Sequence, residues 1–509
     1  MRTPILGSSY VTRSVNAADN RMVNLFPEVI PEGGKEPGFL NRAPGLNFLQ
    51  TVGTGPIRGL WAHQTNGSDF YVVSGVQVYK LTSTTGTPIL LGTVSGTGPV
   101  SIADNGTQIF FACNGPSYIY NEVTNVFGPI TDPDFPGAVT VGYLDGYFVF
   151  NEPNSQRVWV TALLDGYDIN ALDFASAEGS PDGLVAINVD HREAWMFGSD
   201  SVEVWYDAGL ADFPLTRIQG AFNELGCAAA FSVAKLDNTL FWLGTDARGQ
   251  GIVYKANGYN GQRVSTHAVE WQIQQYGNIS DAIAYTYQQD GHSFYVLTFP
   301  SANATWVYDA ATQAWHERAG WDNGSFTRHR SNCQCNFGGN IIVGDYQNGN
   351  IYTLDLDTYA DNGQIQRWLR SWRALPTGTN TLKRTAQHSL QLDAQAGALL
   401  TPITEYVYLT TEDGFKLITE SYDNLVDETT LSVNPPPQFM LRWSDDGGHT
   451  WSNEHWAQGG AVGAYGTRIF WRRLGMTLKL RDRVYELSGT DPIQIAIMGA
   501  ELAMSPTNA

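Results

Sequence analysis

A chain of 509 residues exceeds one ordinary domain, and 42% hydrophobic residues suffice for real cores. Fifty acidic against thirty basic side chains leave a formal charge of −20, which argues against a protein that grips nucleic acid, though not against a surface that DNA slides past. With 16% charged residues, 53 glycines and 15 Trp, 24 Tyr and 23 Phe, and without helical heptads, the chain reads as a turn-rich β protein.

Residues 1–52 read as an extended arm with strand fragments. Leu25-Phe26-Pro27-Glu28, the Pro/Gly stretch from Pro31 to Gly38 and Arg42-Ala43-Pro44-Gly45 are punctuated where regular pairing is disfavoured.

From 53 to 365 one pattern repeats: a turn, a short aromatic or β-branched strand, a second turn, and a strand ending in Tyr or Trp. Its copies start at Phe70, Ile109, Tyr147, Ala194, Leu240, Phe294 and Ile341, and their second strands close at Tyr79, Tyr120, Trp159-Val160, Tyr206, Tyr254, Tyr308 and Tyr352. Asn66-Gly67, Asn105-Gly106, Asp145-Gly146, Asp290-Gly291 and Gly338-Gly339 supply the positive-φ turns that close antiparallel hairpins. The spacing suits four-stranded sheets of roughly 40 to 50 residues each. One such sheet cannot bury both faces alone, and a radial array can, so the expectation is a β-propeller of six or seven blades. A pair of ordinary β-sandwiches would also accommodate regular hairpins. Leu164 to Gly183 reads as a longer irregular connection with a short helix at Ile169 to Ala177.

Residues 366–509 read as a second, β-sandwich-like platform domain completed by the arm. Its strand signals are Arg367-Trp368-Leu369-Arg370-Ser371-Trp372-Arg373, Leu390-Gln391-Leu392-Asp393, Tyr406-Val407-Tyr408, Phe439-Met440-Leu441-Arg442-Trp443, Arg468-Ile469-Phe470-Trp471-Arg472-Arg473-Leu474 and Leu478-Lys479-Leu480-Arg481. Positive charge concentrates here, with Lys383, Arg384 and Arg483 besides the arginines just named. Solvated strand faces would explain it. Arg and Trp together favour a subunit or partner interface, for which the candidates are Arg367, Arg370, Trp372, Arg373, Arg468, Trp471, Arg472 and Arg473.

Ser444-Asp445-Asp446-Gly447-Gly448-His449-Thr450-Trp451 fits the Asp-box pattern, with Ser444, Asp446, Gly448, Thr450 and Trp451 in the defining positions. Asp446 is expected to accept turn amides, Gly448 to take a backbone geometry closed to larger residues, and Trp451 to plug the hairpin into the core. Asp-boxes occur in glycosidases, but there the box is structural, and no pair of carboxylates stands out as facing a sugar.

Cys113, Cys227, Cys333 and Cys335 form no disulfide framework, so reduced thiols are expected. Cys333-Gln334-Cys335 with His329 lacks the second ligand pair of a zinc site, and a Cys-x-Cys on a strand places both thiols on one face, where packing explains them. No nucleophile elbow, P-loop or His-Glu-x-x-His occurs, so no catalytic residue, cofactor or metal is expected. No apolar run approaches the ~20 residues that cross a bilayer, and Met1-Arg2-Thr3-Pro4 opens no secretory signal, so a soluble protein without membrane insertion is expected.

Several segments, in order, resemble the packaged-DNA stabilisation, or tail-hub and nozzle, proteins of short-tailed bacteriophages. They are Asn24-Leu25-Phe26-Pro27 with Arg42-Ala43-Pro44-Gly45-Leu46; Ser180-Pro181-Asp182-Gly183-Leu184-Val185-Ala186-Ile187 followed by Phe197-Gly198-Ser199-Asp200-Ser201-Val202-Glu203-Val204-Trp205; and Arg468 to Gly475. The resemblance implies a structural virion protein of the phage tail, made in the bacterial host cytoplasm. It implies a homo-oligomeric ring, hexameric, below the portal adaptor or head-completion protein. Such a ring extends the DNA channel, retains packaged DNA until ejection, lets DNA pass through its lumen, and docks tailspikes or fibres and a tail plug or needle. It also implies a propeller joined to a β-rich platform, with no catalytic residues carried over. The competing classes are a propeller glycosidase or lyase, suggested by the Asp-box, and a carbohydrate-binding propeller.

Overall fold

The computed structural model describes residues 2–374 apart from 12, 14–18, 35, 64–66, 178, 211–212, 246–248 and 250, and residues 384–506 apart from 400–403, 406–410, 412–430, 433–435, 461–467 and 478–482. Asn66, Lys383, Tyr406-Val407-Tyr408 and Leu478 to Arg481 lie outside the described residues.

The repeat in the sequence becomes the two middle strands of successive four-stranded antiparallel blades. Phe70–Ser74 pairs with Gln77–Leu81, Gln108–Ala112 with Ser117–Asn121, and Tyr147–Asn151 with Arg157–Val160. Glu193–Gly198 pairs with Val202–Asp207, Thr239–Thr245 with Gly251–Asn257, His292–Phe299 with Ala304–Asp309, and Asn340–Asp345 with Asn350–Asp355. Local chemistry sets their register. Asp145-Gly146, Asp290-Gly291 and Gly338-Gly339 each hold two consecutive positive-φ residues between paired strands, as a two-residue hairpin turn requires, and His191-Arg192 and Asp237-Asn238 do so without glycine.

Five blades are separate four-stranded sheets, and two are built into larger ones. That makes seven. Each blade shares one apolar cluster with the preceding blade and a different one with the next. Tyr71 meets Phe111 between blades one and two, Phe110 meets Phe148 between two and three, and Val149 meets Met196 between three and four. Phe197 meets Trp242, Phe241 meets Tyr295, and Phe294 meets Tyr352 in the following three clusters. Phe70 and Leu60 then meet Ile342 and Ile351, which returns the series to blade one. A sandwich would give two sheets one core; here every sheet serves two cores, so the sheets close in a ring.

The ring closes with a strand from the far end of the chain. Ser331–Phe337, Asn340–Asp345 and Asn350–Asp355 are joined by Gly45–Thr51, which supplies the fourth strand of blade seven. The arm therefore divides. Leu25–Val29 and Gly38–Arg42 instead extend a sheet of the second domain, where Leu40 lies opposite Ile497. Val23, on the strand Met22–Val23, pairs on one side with Glu317 of blade six and on the other with Leu369. A nine-stranded sheet thereby runs from the propeller into the sandwich. The sandwich core sets Trp368, Trp372, Phe439, Leu441, Tyr485 and Leu487 of that sheet against Leu390, Ile469, Trp471, Ile495 and Leu502 of the other.

One local expectation fails. Phe174–Ser176 is a strand, the fourth of blade three, where a helix at 169–177 was anticipated. Phe174 packs its ring 4.9 Å from that of Trp159, and a pairing edge outweighs the weak helical preference of Asn170 and Asp173. The α-helix among the described residues is His267–Gln274, between blades five and six, where Val269 and Ile273 fill the interblade core.

Two buried polar side chains lock the arm. Asn24, fully buried with φ of 54°, donates from Nδ2 to the carbonyls of Ala319 and Arg367, both at 2.8 Å, and accepts from Ala319 N–H at 3.0 Å. Arg42 donates to the carbonyls of Asp491, Ile493 (3.0 Å), Tyr359 (3.0 Å) and Gln366 (2.6 Å), and burial pulls its pKa down to about 10. Replacing Asn24 with Ala strands these groups and leaves a Cβ in the left-handed region, so a loss of about 2–4 kcal/mol is expected. Asn24→Gly, which relieves the backbone, should lose less; urea titration of both variants measures the difference.

Candidate functional site

The Asp-box forms the connection between Gln438–Ser444 and His455–Gln458. Asp446 Oδ1 accepts from Ser444 Oγ at 2.6 Å, His449 N at 3.0 Å and Thr450 N at 2.8 Å, while Oδ2 accepts from Thr450 Oγ1 at 2.5 Å. These donors, the Ser444 hydroxyl foremost, hold its carboxyl well below the usual carboxylate range. Ser444 Oγ also accepts from Gly448 N at 2.8 Å, and Gly448 has φ of 98°. Trp451 differs from expectation. It is half-buried beneath the Arg442 guanidinium, 4.8 Å from its ring, and the indole packing on the core is Trp443. Every partner of Asp446 belongs to its own turn, which makes the box a conformational device.

Asp446→Ala should lower stability by about 1–2 kcal/mol. Because the folded pKa is depressed, this stabilisation is present above the unfolded value of about 4 and is lost as pH falls through the folded one. Melting curves of wild type and variant should therefore converge on acidification from neutral pH.

The interface candidates separate into two groups. Arg370 is buried, donates from Nε to the Ile5 carbonyl at 2.7 Å, and has its pKa lowered to about 10 by desolvation. Trp372 stacks on Tyr485 inside the sandwich, and Arg373 is buried. Arg367 lies 4.7 Å over Trp321 and pairs with Glu454 at 2.9 Å, while Trp471 donates from Nε1 to the His455 carbonyl at 2.8 Å. These five are engaged within their own chain, and the buried ones are unavailable to another subunit. The reason is chemical: a guanidinium that caps carbonyls and an indole that fills a sandwich core leave the same residue pattern as an interface. Arg468, Arg472 and Arg473 are exposed. Arg472 lies over Phe470 at 5.4 Å, and Arg473 has φ of 59° beside an irregularity where Gln387 and Ser389 pair with this strand.

Cys333 and Cys335 pack with Ile57, Phe70 and Ile342, and Cys113 and Cys227 are buried in other interblade cores. Burial pushes the Cys113 and Cys227 thiols up to about 11 and Cys335 up to about 12. Thiolate is scarce at neutral pH, so a thiol reagent should label the native protein slowly and find four groups after denaturation.

A cavity of about 510 Å³ lies on the propeller axis, and its walls come from the innermost strands. Gly142 lets these strands approach closely, since a Cβ there would sit 2.6 Å from Val189 Cγ2. Arg58 donates to the carbonyls of Gly98, Gly75 and Ser95 at 2.6, 2.8 and 3.0 Å. Trp61 donates from Nε1 to Asp104 Oδ2 at 2.7 Å, and Asp104 Oδ1 accepts from Gly106 N at 3.2 Å. Sequence reasoning missed this cavity because its walls are short segments of all seven blades, from Arg58 to Gln334, which only ring closure brings together. A second hollow of about 1000 Å³ opens beside the hairpin turns of blades five to seven, lined by Asp237, Asp290, Asp355 and Asp357. Asp237 accepts from Ser293 Oγ at 2.6 Å and Asp355 from Asp357 N at 3.0 Å, as turn-forming aspartates do.

A seven-bladed propeller closed by its own N-terminal arm and continuous with a β-sandwich defines the architectural class. The profile for the propeller of bacteriophage P22 Gp10 matches residues 1–359, and that for the Gp10 β-sandwich matches residues 423–505. The chain belongs to this family, structural proteins of the phage tail that stabilise packaged DNA and are not enzymes. No curated relative matches the chain in sequence. Among solved structures, the computationally designed Ika8 protein is similar over 66% of this chain and 99% of its own, at 13% identity and a TM-score of 0.36. A chain of the mitotic checkpoint complex is similar over 65% and 97%, at 12% identity and a TM-score of 0.38.

Proposed function

We infer that copies of this protein assemble side by side as a ring, six in number, below the portal adaptor, so that the DNA channel runs between subunits. The observation carrying this reading is the size of the axial cavity, together with the family assignment. A space of about 510 Å³ walled by side chains is too small for a duplex whose major groove alone is about 12 Å wide. A tail protein with such an axis contributes to a DNA path along its outer surface, and the acidic balance of the chain lets DNA pass without being gripped. Arg468, Arg472 and Arg473 offer an exposed basic edge on an otherwise acidic molecule. A closed cyclic array needs two different lateral surfaces, and arginine contacts to carboxylates give such surfaces register. Tailspikes or fibres and a tail plug or needle dock on the assembled ring, which works in the virion after synthesis in the host cytoplasm.

The test pairs a surface variant with a deletion. Arg472→Glu with Arg473→Glu should leave the melting temperature of the isolated protein unchanged and sharply reduce its incorporation into particles. Particles lacking the protein should package DNA and then lose it. Retained genomes with normal infectivity, or absence of the protein from purified virions, would reject the reading.

A further inference from the structure

We propose that the axial cavity of the propeller binds a neutral sugar unit of a glycan, with Trp61 as the stacking surface and Tyr143, Asn188, Asn332 and Gln334 as hydrogen-bonding partners. These residues come from blades one, three, four and seven, and all line the same cavity. Its volume lies inside the roughly 300–1000 Å³ range of small-molecule sites. Its walls are innermost strands fixed by seven interblade cores, so the site is formed before a ligand arrives.

Charge narrows the ligand class. The two ionic side chains in the walls are already engaged: Arg58 serves three backbone carbonyls, and each carboxylate oxygen of Asp104 accepts an N–H. A phosphate would meet no uncommitted cation there, and a metal ion no uncommitted carboxylate. What is left is neutral. Asn332 donates one Nδ2 hydrogen to the Ile57 carbonyl at 2.9 Å, and Gln334 one Nε2 hydrogen to Asn336 Oδ1 at 2.7 Å, which leaves each amide a second N–H and its oxygen for a ligand. Two amide oxygens, the Asn188 amide and the Tyr143 hydroxyl around one aromatic face match a ring whose hydroxyls radiate in several directions. A nucleobase also stacks on indole, but it presents its hydrogen-bonding edge to one side, whereas these groups approach from different blades. The Trp61 indole is held in place by its bond to Asp104.

The experiment is saturation-transfer NMR on the full chain with the methyl glycosides of glucose, galactose, mannose and N-acetylglucosamine, and with adenosine and thymidine as competitors. Transfer to at least one glycoside is expected, without displacement by either nucleoside. Gln334→Ala and Asn188→Ala, both at half-buried positions, should weaken it by up to about tenfold each while leaving thermal melting unchanged. Trp61→Phe, which keeps a stacking ring and loses the bond to Asp104, should retain part of the binding. No transfer to any glycoside, transfer that survives both amide substitutions, or preferential binding of a nucleoside would overturn the proposal.

Discussion

The whole architecture hangs on a short length of arm whose backbone must belong to two domains at once. Residues 22–51 supply a strand between blade six and the sandwich, two strands of a sandwich sheet and the closing strand of blade seven. Asn24 and Arg42 make this possible. At such a junction carbonyls from different elements point at one another without ladder partners, and leaving them buried and unpaired costs more than desolvating a guanidinium that satisfies several together. Arg42 is therefore held by carbonyl oxygens, and its lowered pKa reflects the burial of the guanidinium, which the nearby Asp361 and Asp491 offset only in part.

The propeller's remaining features follow from closure. Once the seventh blade is complete, the first middle strand of each blade is buried on both faces along most of its length, which is why strands such as Phe70–Ser74, Gln108–Ala112 and Tyr147–Asn151 are rich in Phe, Tyr and Val. The innermost strands converge on the axis and enclose a cavity whose walls mix polar side chains such as Asn188 and Gln334 with apolar ones such as Ile102 and Phe231. The outermost strands bear less of the core, and several are exposed along much of their length, as Ile89–Thr93 and Asn260–Arg263 are.

This gradient decides what the sequence reveals. The central hairpins were legible because burial demands aromatic and β-branched residues, and because most of the turns that lead into them use Gly, Asn or Asp, His191-Arg192 being an exception. Outer strands such as Val126–Pro129 and Phe174–Ser176 carry no such demand, and the latter resembled an irregular connection. The arm's pairing was hidden for a different reason: nothing in Gly45–Thr51 records that its partner lies some 300 residues away, at Asn350–Asp355. The Asp-box was legible in full at Ser444, Asp446 and Gly448, since a turn is a local object. Trp372 and Trp471 were not, because whether an indole faces a core or a neighbour depends on the sheet packed over it.

Closure by the arm also bears on how the molecule comes into being. Gly45–Thr51 leaves the ribosome long before Asn350–Asp355 exists, and the sandwich strand that pairs with Gly38–Arg42 is made later still, at Ile493–Pro506. Blades one to five can assemble from local hairpins as they emerge, whereas the seam of the ring and the sandwich both wait for nearly the whole polypeptide. During that interval an early-made segment carrying Leu25, Phe26, Leu40 and Leu46, all buried in the finished protein, stays unsheltered. A stalled or truncated translation product thus lacks more than its tail: it is an open ring with a sticky first fifty residues, the species that chaperones and proteases would meet first.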